Sequence, residues 1–209
     1  MKVLLAVVSG GTNGHVCSLG FAVSMLRLQT ALFGAPTPIQ AVLEIVPSLR
    51  DAVDLAAKDE TINALVAVSS NISFPAAFVL RALVSRHPFV AGIYPLPLID
   101  WGRVKSKSQG DDVASTEKMA FRGNVYNLDA SKAKFVGGGY LELAPKDVEP
   151  GAVVLSREAA EAIAKRAPST DAEVPAAWGR PVHADVEHQC ANFGSVEFMG
   201  CVGTRAVLR

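Results

Sequence analysis

The sequence has little cysteine and no excess of charge of either sign. Its 209 residues include three cysteines, and an odd number of thiols without a Cys-x-x-Cys pair argues against a disulfide framework. Lys plus Arg and Asp plus Glu number 20 each, so no net field gathers nucleic acid or an acidic membrane surface. No apolar run approaches the ~20 residues of a membrane-crossing helix. We therefore expect a cytoplasmic protein with no nucleic-acid partner and no membrane span.

Apolar sequence is what the chain has in quantity. Half of its residues are hydrophobic and 19% are charged, which is typical of a globular protein. In the first hundred residues, runs of strand length alternate with segments of helical spacing, and this order predicts an α/β fold with a mainly parallel sheet. The predicted strands are Val3 to Val8, Gln40 to Val46, Asn63 to Val68 and Phe89 to Tyr94, and the predicted helices are Cys17 to Leu32, Ser48 to Lys58 and a segment after Pro75.

The second half has a different pattern, with glycines between short apolar runs. Residues 120 to 145 predict antiparallel strands, and Gly151 to Leu155 predicts a further strand. Ser156 is a predicted N-cap of a helix with an acidic first turn and a basic last turn. The segment from Pro168 to Pro181 is predicted as a loop because it is rich in proline and alanine.

The stretch SGGTNGHV, Ser9 to Val16, follows the first predicted strand. Its glycines allow a tight turn, and the N-terminus of a following helix offers N–H groups to a phosphate. The spacing matches neither G-x-G-x-x-G nor the P-loop, so a plain strand-to-helix turn remains an equal alternative. In the functional interpretation, Ser9, Gly10 and Thr12 contact a nucleoside at the carboxyl edge of the sheet, where open α/β sheets bind ligands.

A longer pattern runs from Ser48 to Val104. It has Arg50-Asp51 at the start of a helix and ends in GIYPLPLIDW, Gly92 to Trp101. This pattern resembles the small GT-A glycosyltransferase-like domains of phages and large DNA viruses. The stretch EPGAVVLSREAAEAI, Glu149 to Ile163, resembles a later strand–helix unit of the same family. The resemblance covers roughly residues 2 to 165.

The resemblance implies a three-layer α/β/α sandwich of GT-A type, with a mainly parallel central sheet and an antiparallel C-terminal part. It implies a single domain over residues 1–209, with a nucleotide-binding half at 1–104 and an acceptor or variable half at 105–209. The implied activity is transfer of a hexose from a nucleoside diphosphate sugar to a hydroxyl acceptor on a glycan or a protein.

Ser69-Ser70-Asn71 stands where the family has an Asp-x-Asp motif. There, two carboxylates hold Mn²⁺ or Mg²⁺, which neutralises the diphosphate of the donor. Two hydroxyls and an amide supply no anionic oxygen, so we expect no tightly bound metal and no other certain cofactor. Ser69 and Asn71 would contact the donor directly, and Arg50, Arg103 and Lys105 are candidate cations for its diphosphate.

Three interpretations of this departure stay open. The protein is a transferase that works without a tightly held metal, or a non-catalytic carbohydrate- or protein-binding module that kept the GT-A fold. In the third interpretation, the alignment of Ser-Ser-Asn with the Asp-x-Asp motif is wrong. The protein is then an unrelated nucleotide-binding α/β enzyme, and Ser-Ser-Asn is ordinary turn and capping sequence before a helix.

The densest cluster of acid–base side chains is HADVEH, His183 to His188. Within it, Asp185 is our candidate base for deprotonating an acceptor hydroxyl. The alternative is that the cluster forms a solvated polar face.

Asp100 and Trp101 are candidates for the sugar or acceptor pocket, and Asp100 joins Asp185 as a catalytic candidate. Carboxylates bind sugar hydroxyls, and sugar rings stack on indole faces. The alternative for Trp101 is a core residue at a strand end, and the alternative for Arg50 is a surface pair with Asp54, four residues on.

Overall fold

The computed structural model describes residues 1–10, 17–35, 39–99 and 124–192. The strands are β1 (Lys2–Val8), β2 (Gln40–Val46), β3 (Ala64–Ser69), β4 (Ile72–Ser73), β5 (Phe89–Gly92), β6 (Pro95–Ile99), β7 (Asn124–Tyr126), β8 (Lys134–Gly137), β9 (Tyr140–Leu143), β10 (Ala152–Ser156), β11 (Val182–Asp185) and β12 (Ala191–Asn192). The α-helices are α1 (Leu19–Phe33), α2 (Leu49–Lys58), α3 (Ala76–Val84), α4 (Arg157–Arg166) and α5 (Val174–Trp178).

Eight strands form the central sheet in the order β2-β1-β3-β10-β5-β11-β9-β8. β1 pairs in parallel with β2 and β3, and β5 pairs in parallel with β11. Only β9 and β10 run against the common direction of this sheet. The predicted α/β class with a mainly parallel sheet is confirmed. The sequence did not predict that β10 would insert between β3 and β5.

Two apolar layers cover the faces of the sheet, because successive side chains of a strand point to opposite faces. On one face Val3, Leu5 and Val7 pack with α1 and α3. On the other face Leu4, Ala6 and Val8 pack with α2, α4 and α5. These β1 side chains are all at least nine-tenths buried, which explains why β1 is a continuous apolar run instead of an alternating one.

The predicted helix starts are confirmed at two serines. The Ser48 hydroxyl caps α2 and the Ser156 hydroxyl caps α4, and each accepts a backbone N–H from the first turn. The predicted loop from Pro168 to Pro181 is wrong in part, because it contains the short helix α5. Val174 and Trp178, four residues apart on one face of α5, are both buried in the core. Within the described ranges, no helix is long and apolar enough to cross a bilayer.

Gly92, at the end of β5, is packed too closely to accept a side chain. A Cβ there would lie 2.8 Å from Cys190 Sγ and 3.2 Å from Ala152 Cβ. We expect Gly92→Ala to lower the free energy of unfolding by about 1–3 kcal/mol, since over-packing forces neighbours to shift. Urea unfolding followed by circular dichroism measures the change. Gly34→Ala is the control, because its Cβ would meet nothing closer than 3.7 Å, and an equal loss in both variants would contradict the packing argument.

Candidate functional site

The bend after β3 lies beside the end of β1. Val8 and Ser69 are paired across the sheet, and the Ser70 N–H donates to the Val8 carbonyl at 3.0 Å. The Ser18 N–H, at the start of α1, donates to the Ser70 carbonyl at 3.0 Å. The structure therefore brings the Ser69–Asn71 bend, the end of β1 and the N-terminus of α1 to one corner of the carboxyl edge.

This corner is a topological switch point of the sheet. After β1 the chain moves to β2 on one side, and after β3 it moves through β4 and α3 to β5 on the other side. The two connections diverge at the carboxyl ends of β1 and β3, and such a switch point is where open α/β sheets bind ligands.

Ser9, Gly10 and Arg50 lie at the same edge. The Ser9 N–H and hydroxyl both donate to the Val46 carbonyl, at 2.9 and 3.3 Å, which ties the loop after β1 to the end of β2. Gly10 has a φ of 70°, a conformation that favours glycine. Arg50 is in the first turn of α2, and its partly exposed guanidinium lies 3.9 Å from Asp51.

Asp185 is at this edge too, at the end of β11, and it is fully buried. Its carboxylate accepts the Glu187 N–H at 2.9 Å, lies 3.0 Å from His188 Nδ1 and lies 3.5 Å from Arg81 Nη1. A carboxylate enclosed in this way does not touch an acceptor. The His188 side chain is 27% exposed, so the imidazole is the solvent-facing member of this Asp–His pair.

The other members of the HADVEH segment have different surroundings. The His183 ring stacks on His87 with centroids 3.8 Å apart, and burial lowers the pKa of both imidazoles below the usual histidine value. Glu187 forms an ion pair with Arg81. The segment is therefore neither one solvated face nor one cluster around a single ligand.

A cavity of about 870 Å³ opens at the far end of the carboxyl edge. Ile93 follows β5 and Val186 follows β11, and both line the cavity. Asn127 and Lys132, from the chain after β7, add polar groups to its wall. Lys132 is paired with Asp129 at 3.0 Å. The cavity is partly apolar, and this lysine also pairs with Asp147 at 3.1 Å, so it already has two counter-charges.

Three predicted site residues, Thr12, Asp100 and Trp101, lie outside the ranges that the structure describes, as do Arg103 and Lys105. Among the residues that are described, no group of three or more His, Cys, Asp or Glu side chains is arranged to hold a metal ion.

Sequence reasoning missed two polar residues that organise this region. Arg81 binds Asp185 and Glu187, and its sequence signal was a lone charge in the apolar segment AAFVLRALV of α3. Asn127 is buried and hydrogen-bonds three backbone groups. No pattern around Asn127 distinguishes it from an ordinary turn residue.

No family model matches the chain, and no curated protein matches it in sequence. Among solved structures, A197 from STIV superposes with a TM-score of 0.55 at 14% identity, covering 92% of this chain and 86% of that one. A UDP-glucose pyrophosphorylase complexed with UDP-glucose has a TM-score of 0.48 at 10% identity, covering 99% and 97% of the two chains. The inositol-1-phosphate CTP transferase from T. maritima has a TM-score of 0.48 at 10% identity, covering 99% and 94%.

At these identities the likeness is one of fold. The arrangement of strands and the likeness to A197 agree with the architecture expected from the sequence. The chain has a GT-A-like α/β sandwich, with a mainly parallel central sheet and antiparallel strands in its second half.

Proposed function

We propose that this protein binds a nucleoside diphosphate sugar at the carboxyl ends of β1 and β3 and transfers its sugar without a tightly bound metal. One observation carries the proposal: the Ser69–Asn71 bend adjoins the end of β1 and the start of α1 at the switch point of the sheet. The sequence resemblance put the same bend at the position of the Asp-x-Asp motif in the small phage and viral GT-A domains. Two independent lines of reasoning therefore select one location.

The corner offers polar contacts suited to a diphosphate. The first turn of α1 presents backbone N–H groups at the positive end of the helix dipole. Arg50 supplies a guanidinium from the first turn of α2, on the other face of the sheet, and guanidinium groups bind phosphate oxygens in bidentate geometry. Ser69 and Asn71 supply hydroxyl and amide groups in place of two carboxylates, so the donor charge would be met by the protein and not by a cation.

The hydroxyl acceptor, on a glycan or a protein, would approach from the exposed side of His188 at the end of β11. His188 would take the acceptor proton at its free Nε2, while Asp185 holds Nδ1 and stabilises the imidazolium that forms. This assignment changes the role of Asp185 from base to positioning residue, because its carboxylate is enclosed.

Calorimetry with UDP-, GDP- and CDP-sugars, with and without Mn²⁺, tests donor binding. We expect one nucleotide class to bind in the absence of metal. The double variant Ser69→Asp/Asn71→Asp is expected to tighten Mn²⁺ binding in the presence of that nucleotide by about tenfold or more, since hard cations need anionic oxygens.

The matched control is Thr61→Asp/Asn63→Asp, which adds the same pair of carboxylates, with the same spacing, just before the opposite end of β3. That variant would also place two new carboxylates beside Asp59, so a second control is Gln29→Asp/Ala31→Asp on α1, a helix with no acidic residue of its own. The α1 variant should leave Mn²⁺ affinity unchanged. Equal gains in the bend variant and the α1 variant would show that added charge alone attracts Mn²⁺ and would remove the argument for the bend.

A second candidate function is a non-catalytic binding module. The enclosed carboxylate of Asp185 and the lack of carboxylates at the bend both favour it. In that case nucleotide sugars would either fail to bind or bind without turnover. His188→Gln separates the two functions, because it should abolish sugar transfer in an enzyme and leave the affinity for the donor within about twofold.

A further inference from the structure

The strand β2 forms one edge of the central sheet, and its side chains are unusually exposed for an apolar strand. Within its seven residues, QAVLEIV, Glu44 is the single charge and Val46 the single buried residue. Leu43 is 50% exposed and Ile45 is 56% exposed. Long, flat and apolar edge strands are rare on monomers, because they pair with other chains.

The hydrogen bonds between β2 and β1 determine which backbone groups of β2 point outward, away from β1. The Gln40 N–H donates to the first residue of the chain at 2.9 Å, and the Val46 carbonyl accepts the Ser9 N–H at 2.9 Å. Alternate residues of a parallel strand bond to the same neighbour. The residues whose N–H and C=O groups point away from β1 are therefore Ala41, Leu43 and Ile45, and in the described ranges no strand pairs with this side of β2.

Helix α1 has exposed apolar side chains, but they do not adjoin β2. The buried residues of α1 are Phe21, Ser24, Leu28 and Leu32. At 100° per residue, Leu26 and Phe33 lie on the side of α1 opposite Ser24, and they are 64% and 97% exposed. These two side chains therefore face solvent and are not part of the β2 surface.

Leu43 lies beside Leu5, and Ile45 beside Val7, in the parallel register of β1 and β2. Leu5 and Val7 pack under α1, so the two β2 side chains point to the α1 side of the sheet. We name the surface formed by the outward backbone groups of β2 and the side chains of Ala41, Leu43 and Ile45 the β2 face.

The β2 strand is complementary to itself. In an antiparallel pair centred on Leu43, Leu43 meets Leu43 of the second copy, and Ala41 meets Ile45. These are the residues with outward backbone groups, so every outward N–H finds an outward C=O. Each Glu44 faces Val42, and no like charges oppose each other across the pair.

The opposite edge strand, β8, lacks these properties. It has four residues, begins with Lys134 and has an irregular register against β9 between Phe135 and Gly137. Short length, lysine and a bulge are the devices that protect an edge from pairing. Phe135 is nevertheless 65% exposed, which makes β8 a fair control for exposed apolar surface alone.

We propose that the β2 face binds a second copy of this chain. The two β2 strands pair antiparallel about a two-fold axis at Leu43, and one continuous sheet runs through both copies. The α1 helices then lie antiparallel on the same side of this sheet, and the Leu43 and Ile45 side chains of both copies pack together between them. The contact is isologous and closed, so it produces a dimer and not a filament.

Sedimentation velocity of the full chain over a range of concentrations tests the proposal. We expect a dimer for the natural sequence and a dissociation constant at least about tenfold higher for Leu43→Pro. Proline at this position removes an outward N–H and leaves the bonds between β1 and β2 in place. If Leu43→Pro does not fold, Ile45→Lys takes its place, since its charge would face Ala41 of the second copy.

Phe135→Lys on β8 is the matched control and should leave the dimer intact. Leu43→Cys should also form an intermolecular disulfide under mild oxidation, because Cα atoms of a hydrogen-bonded antiparallel pair are ~5.5 Å apart. The natural sequence is the control for intermolecular disulfides formed by its own exposed thiol, that of Cys17. Two results would overturn the proposal. One is a natural sequence that stays monomeric at ~100 µM, since its association would then be weaker than that of a stable interface. The other is a Phe135→Lys variant that weakens the dimer as much as Leu43→Pro does.

Discussion

Replacement of Arg81 by methionine is expected to lower the free energy of unfolding by about 3–5 kcal/mol. Arg81 is the only cation among the described residues within ion-pair distance of Asp185 apart from His188, and Asp185 has no solvent exposure. Loss of Arg81 leaves the buried carboxylate with only His188 and the Glu187 N–H as partners, and breaking a buried ion pair costs more than the pair itself contributes. Arg81 also contacts the Gly138 carbonyl and lies 4.9 Å above the Tyr140 ring.

Arg180→Met is a closely matched control. Arg180 likewise lies 4.9 Å above an aromatic ring, that of Trp178, and pairs with Glu158 at 2.9 Å. Both charged side chains of that pair are 63% exposed, so the loss should stay below about 1 kcal/mol. Chemical unfolding of both variants measures the difference. Similar losses would show that burial of Asp185 does not decide the effect.

A double-mutant cycle separates the ion pair from the other contacts of Arg81. Asp185→Asn removes the buried charge, so Arg81→Met should cost less in that background than in the natural protein. The difference between the two costs is the coupling energy of the pair. A coupling near zero would assign the loss to Glu187, the Gly138 carbonyl and the Tyr140 ring instead.

Asn127→Ala is the second change with a large expected effect, about 2–4 kcal/mol. The Asn127 amide donates to the carbonyls of Gly92 and Glu149, both at 3.0 Å, and its carbonyl accepts the Tyr94 N–H at 2.9 Å. These bonds fasten the end of β5 to the segment before β10. Alanine removes the partner of the Tyr94 N–H and of the Gly92 carbonyl in a buried place, and neither gains water in return. The Glu149 carbonyl keeps its bond from the Tyr94 hydroxyl at 3.1 Å.

Asn127→Asp tests the same geometry through pH. The aspartate would face two carbonyl oxygens, so the folded protein would raise its pKa above the unfolded value of ~3.9. Stability contributed by the protonated form is then present below pH ~4 and is lost as the pH rises. Thermal unfolding at pH 4 and pH 7 measures this trend. For Asn127→Ala, the control is Asn63→Ala, because Asn63 is exposed and its side chain accepts one bond, from the Lys2 N–H at 2.8 Å.

The first half of the fold was predictable because its apolar runs are covered on both faces. β1 and β3 are buried along their length, and such strands show as uninterrupted apolar sequence. The helix caps at Ser48 and Ser156 were predictable because capping depends on local chemistry. The carboxyl edge then followed from the order of strands, which is why Ser9 and the Ser69–Asn71 bend were expected together.

The second half was less predictable because its structure depends on distant partners. β11 contains His183 and Asp185, which pack against α3 and β9 instead of facing water. Periodicity in one segment does not report which face a distant helix will cover. For the same reason, the sequence offered Asp185 as a base, while its enclosure by Arg81 and His188 became visible only in the fold.

The position of β10 has a consequence for how the chain is assembled during synthesis. β3 and β5 emerge early, but each has β10 as a neighbour, and β10 begins at Ala152. A nascent chain that has not yet reached this residue leaves a one-strand gap in the middle of its sheet. β10 pairs with strands that are distant in the sequence, and such non-local pairing slows folding. The first hundred residues should therefore remain dependent on the ribosome or a chaperone until β10 has been synthesised.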